Sequence, residues 1–116
     1  MTLALMASGF NGQSFCFHGY LPIKGPERAN ALKNLERRSA QMDETELFIE
    51  TPFRNNAMLD AILKTCRDNT KVCVACDLTT AEETVVSKTV NEWRETKYDF
   101  DKKPAVFLIY SRLKQK

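Results

Sequence analysis

ELFIETPFRNN, residues 46–56, shows the architecture of the chain most directly. The stretch begins as a short apolar strand and ends in two asparagines that are able to cap a helix. Glu50, Thr51, Pro52 and Arg54 lie between the two. A strand that runs straight into a helix is typical of α/β proteins, whose ligands bind at strand ends. We therefore expect an α/β fold with its chemistry at this strand end, although ordinary helix capping and an ion pair would give the same pattern.

A second polar strand end follows later in the chain. The run KVCVACDL, residues 71–78, is continuously apolar, which is typical of a strand covered on both faces. Asp77, Thr79 and Thr80 stand at or just beyond its end. Two polar strand ends in one chain predict one shared crevice.

Strands and helices alternate through the rest of the sequence. Strand patterns occupy residues 14–20, 46–50, 71–78, 83–89 and 104–110. Helical patterns run from Pro26 to about Arg38, from Asn55 or Asn56 to about residue 68, and over residues 90–96. Thr89 and Glu92 have the spacing of a capping box ahead of the last helix. The order β-α-β-α-β-β-α-β predicts a mixed, roughly five-stranded sheet with helices packed on it.

Composition is that of an ordinary globular domain. The 116 residues are 43% apolar and 28% charged, with a formal net charge of +2. This charge neither requires nor excludes an RNA partner. No apolar run is long enough for a membrane span or a signal peptide, so we expect a cytoplasmic protein. The basic tail SRLKQK, residues 111–116, is expected to be solvated.

The chain opens with apolar residues at helical spacing and no cap before them. Leu3, Leu5 and Met6 look like the end of a helix whose beginning is missing, and a short native helix is the alternative. We therefore interpret residues 1–12 as the end of an interdomain helix with its linker, and residues 13–116 as one domain.

The four cysteines and the single histidine are expected to be structural. CVAC, residues 73–76, has metal or redox spacing, but positions three apart on a strand point to opposite faces. No second ligand pair is present, so we predict reduced core thiols and no metal site. His18 has no partner nearby in sequence and is expected to be a partly buried, hydrogen-bonded ring. Lys24, Glu27 and Arg28 lie in a loop feeding a helix, where they are either solvated or used for binding.

Several of these motifs together resemble a known superfamily. ALMASGFNGQSFCFHGYLPIKGPER (residues 4–28), FIETPFR (48–54), VACDLTTAEE (74–83) and the last apolar strand resemble the C-terminal half of the tetrapyrrole methylases. The sequence is most similar to the branch of small-subunit ribosomal RNA (cytidine-2′-O)-methyltransferases. That branch reads GFLP-x-K with a following ER, then ESPHR, then RELTK with a later Glu.

The resemblance implies a methyltransferase with two α/β domains and S-adenosylmethionine in the cleft between them. This chain would be the C-terminal lobe, inactive alone, of a homodimer whose N-terminal domain holds the glycine-rich cofactor loop. Carried over by position, the residues that would border the cofactor are Glu50, Thr51, Pro52, Leu78 and Thr79. Lys24, Arg28 and Arg54 would face the acceptor. The resemblance assigns no catalytic residue within this chain.

The sequence departs from the ribosomal branch at four positions. Phe53 stands where that branch has His, Cys76 replaces Arg, Asp77 replaces Glu, and Thr80 replaces Lys. Two cationic positions of the second motif are thereby lost, which weakens the case for a polyanionic substrate. The acceptor stays open between RNA ribose and a tetrapyrrole-like small molecule. A non-catalytic binding or regulatory module and an RNA-binding domain without a cofactor are the alternative functions.

Overall fold

The computed structural model describes Ala4, Ser8, Gly9 and residues 14–111. The predicted helix end at Leu3, Leu5 and Met6 lies outside the described residues, as does most of the predicted basic tail. The described strands are β1 (Phe15–Tyr20), β2 (Thr45–Ile49), β3 (Lys71–Cys76), β4 (Thr84–Thr89) and β5 (Ala105–Tyr110). The described helices are α1 (Gly25–Met42), α2 (Asn55–Thr65) and α3 (Val90–Arg94), with a 3₁₀ turn at Pro52–Arg54.

The five strands form one mixed sheet in the order β1-β2-β5-β3-β4. β1 and β2 are parallel, while β5 is antiparallel to both of its neighbours, β2 and β3. β1, β2 and β3 therefore run in one direction, and β4 and β5 run in the other. The predicted element order and the five-stranded mixed sheet are both confirmed.

The three helices cover one face of the sheet. Leu32 of α1, Ile62 of α2 and Trp93 of α3 pack with strand residues in one buried cluster. Within it the rings of Phe48 and Phe107 stack with centroids 5.7 Å apart. This cluster holds most of the buried apolar side chains among the described residues, and burial of apolar side chains is the main favourable term in folding.

The opposite face of the sheet carries a smaller apolar cluster. Leu47, Cys73, Ala75 and Leu108 form it, and Ala4 is fully buried against them. Cys73 belongs to this cluster while Cys76 belongs to the helix-covered one, so the prediction that the CVAC cysteines point to opposite faces is confirmed. All four cysteines are free thiols.

Several element boundaries differ from the sequence pattern, and α2 ends at Thr65 rather than at about residue 68. α1 continues to Met42, beyond its apolar stripe, because its later polar side chains are buried with partners. The Ser39 hydroxyl donates to the Glu44 carbonyl at 2.6 Å and accepts from the Ser111 backbone N–H at 2.8 Å. β3 ends at Cys76 rather than at residue 78, which leaves Leu78 in the following turn.

The predicted capping box of α3 is confirmed. The Thr89 hydroxyl accepts from the Glu92 backbone N–H at 3.2 Å, and the Glu92 carboxylate accepts from the Thr89 backbone N–H at 2.9 Å. None of the helices within the described residues is long and apolar enough to cross a membrane.

Candidate functional site

The carboxyl ends of β2 and β3 meet at the same edge of the sheet. β5 lies between them and begins at that edge, because it runs in the opposite direction. A cavity of about 390 Å³ opens there, which is within the range of about 300–1,000 Å³ that is typical of small-molecule sites. We call it the strand-end cavity, and its lining residues are Tyr20, Ile49, Glu50, Pro52, Ala75, Leu78, Pro104, Ala105 and Val106. The two strand ends therefore share one crevice, as predicted. Of the polar residues that mark them, however, only Glu50 lines the cavity, and Asp77, Thr79 and Thr80 do not.

The floor of the strand-end cavity is apolar. Ile49 and Ala75 both pair with Val106 across the sheet, and these three lie on the helix-free face. The methyl side chain of Ala75 leaves room that a larger residue would fill. A flat apolar floor of this kind is suited to one face of an aromatic ring system.

Glu50 is a buried carboxylate with partners from three other residues of the chain. Its Oε1 accepts from the Thr51 backbone N–H at 2.7 Å, and its Oε2 accepts from Arg28 Nη2 at 3.2 Å. Arg54 Nε lies 3.5 Å from Oε1. The carboxylate is therefore held in one position at the edge of the cavity.

The turn after β2 is tied to the loop that precedes β5. The Pro52 carbonyl accepts from the Lys102 backbone N–H at 3.0 Å. The buried Asn55 amide donates to the carbonyls of Phe100 and Lys103 at 2.9 Å and 2.7 Å. Asn55 thus holds this loop, and Asn56 Oδ1 likewise accepts from the Phe100 backbone N–H at 2.8 Å. Neither asparagine makes a side-chain cap to α2, whose N-cap residue is Arg54, so the expected cap is wrong.

The turn after β3 contains two residues with left-handed backbone. Asp77 has φ 53° and Thr79 has φ 68°. A β-branched residue rarely adopts this conformation, which costs about 1–3 kcal/mol and is found preferentially near functional sites. The Thr79 N–H donates to the Glu83 carboxylate at 2.8 Å, which holds the turn in place. Leu78 reaches the cavity, whereas Thr79 is exposed beside it.

The three predicted basic residues do not form one cationic surface. Lys24 is exposed at the start of α1. Arg28 is only 8% exposed and is paired with Glu50. Arg54, whose side chain is 41% exposed, also approaches Glu50. Lys24 and Arg54 therefore keep accessible charge, and Arg28 does not.

Several lining residues were missed by the sequence patterns. Tyr20 ends β1, which is parallel to β2, so the direction of the strands could have placed it at the same edge. Pro104, Ala105 and Val106 come from β5 and its start, and only the antiparallel pairing of β5 brings them there. No local signal in the sequence indicates that pairing.

A second polar cluster lies on the helix-covered face at β1. The ligand atoms of Cys16, His18 and Glu46 are within 4.8 Å of one another. His18 Nε2 is 2.5 Å from Glu46 Oε1, which confirms the predicted hydrogen-bonded ring. Arg38 Nε lies 3.8 Å from the same carboxylate oxygen, so a positive charge already faces the cluster and opposes binding of a cation. That the cysteines hold no metal stays a prediction.

Burial sets the protonation of this cluster. Desolvation raises the pKa of the fully buried Glu46 carboxyl to about 9, with the neighbouring Glu44 adding to the shift. Desolvation also lowers the pKa of His18, and the nearby Arg38 charge acts in the same direction. Both shifts favour the uncharged forms near neutral pH.

Comparison with known proteins finds methyltransferases that are similar to this chain in sequence. The chain is 33% identical to the ribosomal RNA small subunit methyltransferase I of Pasteurella multocida over 115 residues, which are 97% of the chain and 40% of that protein. It is 32% identical to the protein of the same name from Haemophilus influenzae over 92 residues, 79% of the chain and 31% of the relative. No protein-family model matches the sequence.

The fold agrees with the sequence comparison. The crystal structure of the methyltransferase CobJ superposes with a TM-score of 0.59 at 18% identity, covering 95% of this chain and 47% of that one. The chain is therefore a homologue of methyltransferases of the tetrapyrrole methylase family, and the resemblance drawn from its motifs is confirmed. It spans well under half the length of these relatives.

Proposed function

We propose that residues 13–116 are the C-terminal domain of an S-adenosylmethionine-dependent methyltransferase. The strand-end cavity carries this proposal, because three of the five residues that the family resemblance assigns to the donor site, Glu50, Pro52 and Leu78, line it. The N-terminal domain of the same polypeptide would close the cleft from the other side. The protein would work in the cytoplasm as a homodimer.

The residues of the cavity fit the donor. Its apolar floor would take one face of the adenine, and the rim formed by Glu50, Thr51 and Pro52 would border the ribose and adenine edge. Leu78 and Thr79 would form the opposite rim. S-adenosylmethionine supplies an activated methyl group on its sulfonium, so this chain's task is to hold and orient the donor.

The acceptor side would use the accessible cations. Lys24 and Arg54 would attract a phosphate or carboxylate of the acceptor, which is either RNA ribose or a tetrapyrrole-like small molecule. Phe53, which is 74% exposed beside Arg54, replaces the histidine of the ribosomal branch and offers an aromatic face. An aromatic ring stacks on a base or on a macrocycle alike, so the acceptor class needs a direct assay.

Calorimetry with S-adenosylhomocysteine tests the donor site in the protein that carries both domains. Ala75→Leu places a larger side chain on the cavity floor and is expected to lower the affinity for this ligand by at least about tenfold. Arg54→Ala is expected to leave its affinity unchanged and to lower turnover through the acceptor.

Val85→Leu is the matched control for overpacking. Val85 packs in the same apolar cluster without lining the cavity, so its enlargement should not change affinity. If folded Ala75→Leu protein binds S-adenosylhomocysteine like wild type, the donor site lies elsewhere.

A further inference from the structure

We propose that Arg28 is a positioning residue that acts through Glu50 and sets the distance between two walls of the strand-end cavity. This inference rests on the proposed function and deepens it. The family resemblance places Arg28 against the acceptor, whereas its contacts give it a different task. We call the pair Arg28 and Glu50 the cavity latch.

The cavity latch joins three segments of the chain. Arg28 belongs to the first turn of α1 and donates through Nη2 to Glu50 Oε2 at 3.2 Å, just beyond the end of β2. The same guanidinium donates through Nε to the Pro22 carbonyl at 3.3 Å, in the loop after β1. Glu50 in turn accepts from the Thr51 backbone N–H at 2.7 Å. One guanidinium and one carboxylate therefore connect the loop after β1, α1 and the turn after β2.

The connected segments carry two parts of the cavity lining, at the ends of the neighbouring strands β1 and β2. Tyr20 stands two residues before Pro22, and Pro52 stands two residues after Glu50. Both Tyr20 and Pro52 line the cavity. A change in the geometry of the cavity latch is therefore transmitted to both walls through only two residues of backbone on each side.

Burial argues against a direct contact between Arg28 and the acceptor. Arg28 is 8% exposed and Glu50 is 6% exposed. A buried ion pair persists only where its hydrogen bonds are satisfied, and removing one partner leaves an uncompensated charge. The planar fork of arginine reaches the Pro22 carbonyl and the Glu50 carboxylate together, which the single ammonium of lysine does not reproduce.

A double-mutant cycle in the protein that carries both domains tests the cavity latch. Arg28→Gln, Glu50→Gln and the double variant are compared for affinity to S-adenosylhomocysteine, for acceptor KM and for hydrogen exchange at the Thr51 amide. Arg38→Gln is the matched control, because Arg38 lies on the same helix and pairs with Glu44 at the far end of β2. Arg28→Lys tests whether positive charge alone is sufficient. Trp93 fluorescence verifies that each variant is folded. If a single variant unfolds because it leaves one buried charge unpaired, the double variant, which removes both charges, is tested in its place.

The cavity latch predicts non-additive losses. Each single substitution should lower the affinity for S-adenosylhomocysteine about tenfold relative to Arg38→Gln. Each should also raise the hydrogen-exchange rate of the Thr51 amide at least about tenfold relative to the same control. The double variant should bind S-adenosylhomocysteine no more weakly than the single variant with the lower affinity. The affinity of Arg28→Lys should lie between those of Arg28→Gln and wild type. Additive losses, unchanged Thr51 exchange, or a raised acceptor KM at unchanged donor affinity would each overturn the proposal.

Failure of the proposed function gives a different result. If wild-type protein does not bind S-adenosylhomocysteine, the donor site is refuted. The hydrogen-exchange rate of the Thr51 amide then tests the cavity latch independently, since the contacts that protect this amide do not depend on a ligand. Faster exchange in Arg28→Gln supports the positioning role, and unchanged exchange refutes it.

Discussion

Desolvation dominates the chemistry of the buried ionisable side chains. It raises the pKa of the Cys66 thiol to about 12, that of Cys76 to about 11, and that of Cys73 as well. It raises the pKa of Glu46 in the same way. In each case the low-dielectric interior disfavours the charged form of an acid. Arg28 and Glu50 form a buried ion pair, with Arg28 Nη2 3.2 Å from Glu50 Oε2.

Glu46→Gln is expected to stabilise the protein progressively as the pH rises from 5 to 9. Folded Glu46 keeps its proton up to about pH 9, whereas the unfolded carboxyl loses it near its ordinary pKa of 4.5. The folded state therefore binds more protons between these values, and the free energy of unfolding of wild type falls as the pH rises. Glutamine has no such proton to lose. The difference in free energy of unfolding between Glu46→Gln and wild type should therefore grow by up to about 1.4 kcal/mol per pH unit.

Urea unfolding followed by Trp93 fluorescence at pH 5, 7 and 9 measures this difference. Exposed Glu95→Gln is the control, and its stability should run parallel to that of wild type. Parallel profiles for Glu46→Gln would show that Glu46 is ionised in the folded protein.

The cysteines are expected to differ sharply in reactivity. Cys66, Cys73 and Cys76 are buried with raised pKa values, while Cys16 is partly exposed on the edge strand β1. Since the thiolate is the reacting form, a disulfide reagent at pH 8 should modify one thiol in the native chain and four in denaturant. Cys16→Ser should abolish the native reaction. A fast reaction that survives Cys16→Ser would contradict this order of exposure.

Short elements in this fold are stabilised by contacts outside themselves. α3 has five residues, too few for an isolated helix in water. Its capping box and the buried Trp93, whose indole N–H donates to the Val72 carbonyl at 2.9 Å, hold it in place. The two turns that form the rims of the strand-end cavity are fixed similarly, by bonds to Pro104 and Lys102 in the loop before β5.

Thr89→Ala is expected to lower the free energy of unfolding by about 1 kcal/mol. The substitution removes the hydroxyl that accepts from the Glu92 N–H at the start of α3. Thr89→Ser keeps a hydroxyl at this position and should keep most of the stability. Urea denaturation of the two variants measures the difference, and equal losses would show that the cap contributes nothing.

At the scale of the molecule, the two faces of the sheet have different tasks. The helix-covered face holds the larger core, and the opposite face carries the floor of the strand-end cavity. The cavity is formed by four strands, β1, β2, β3 and β5, whose ends meet at one edge, so its shape depends on the sheet as a unit. The stability and the proposed binding function thereby reside on opposite sides of the same strands.

The chain alone is expected to show no methyl transfer. It spans 40% of the length of its Pasteurella relative, and the proposed donor cleft has its second wall in another domain. Incubation with labelled S-adenosylmethionine and with candidate RNAs or porphyrinoids measures turnover. The protein that carries both domains is the positive control under the same conditions. Methyl transfer by this chain alone would contradict the two-domain requirement.

Local patterns were sufficient for the elements and for part of the cavity. Strand and helix periodicity, the Thr89 cap and the apolar run of β3 depend on neighbours in sequence, so the element order could be predicted. The same patterns located Glu50, Pro52 and Leu78 at strand ends, because a strand end is marked by the change from apolar to polar residues.

Tertiary structure alone determined the partners of these groups. Glu50 pairs with Arg28 from 22 positions away, and Glu46 pairs with His18 from 28 positions away. The insertion of β5 between β2 and β3 supplies Val106 to the cavity floor. Sheet order and burial bring together residues that are distant along the chain, and no periodicity within a segment records which distant strand will pair with it. The left-handed backbone of Thr79 likewise arises from the turn that closes the hairpin of β3 and β4, since threonine does not favour that conformation by itself.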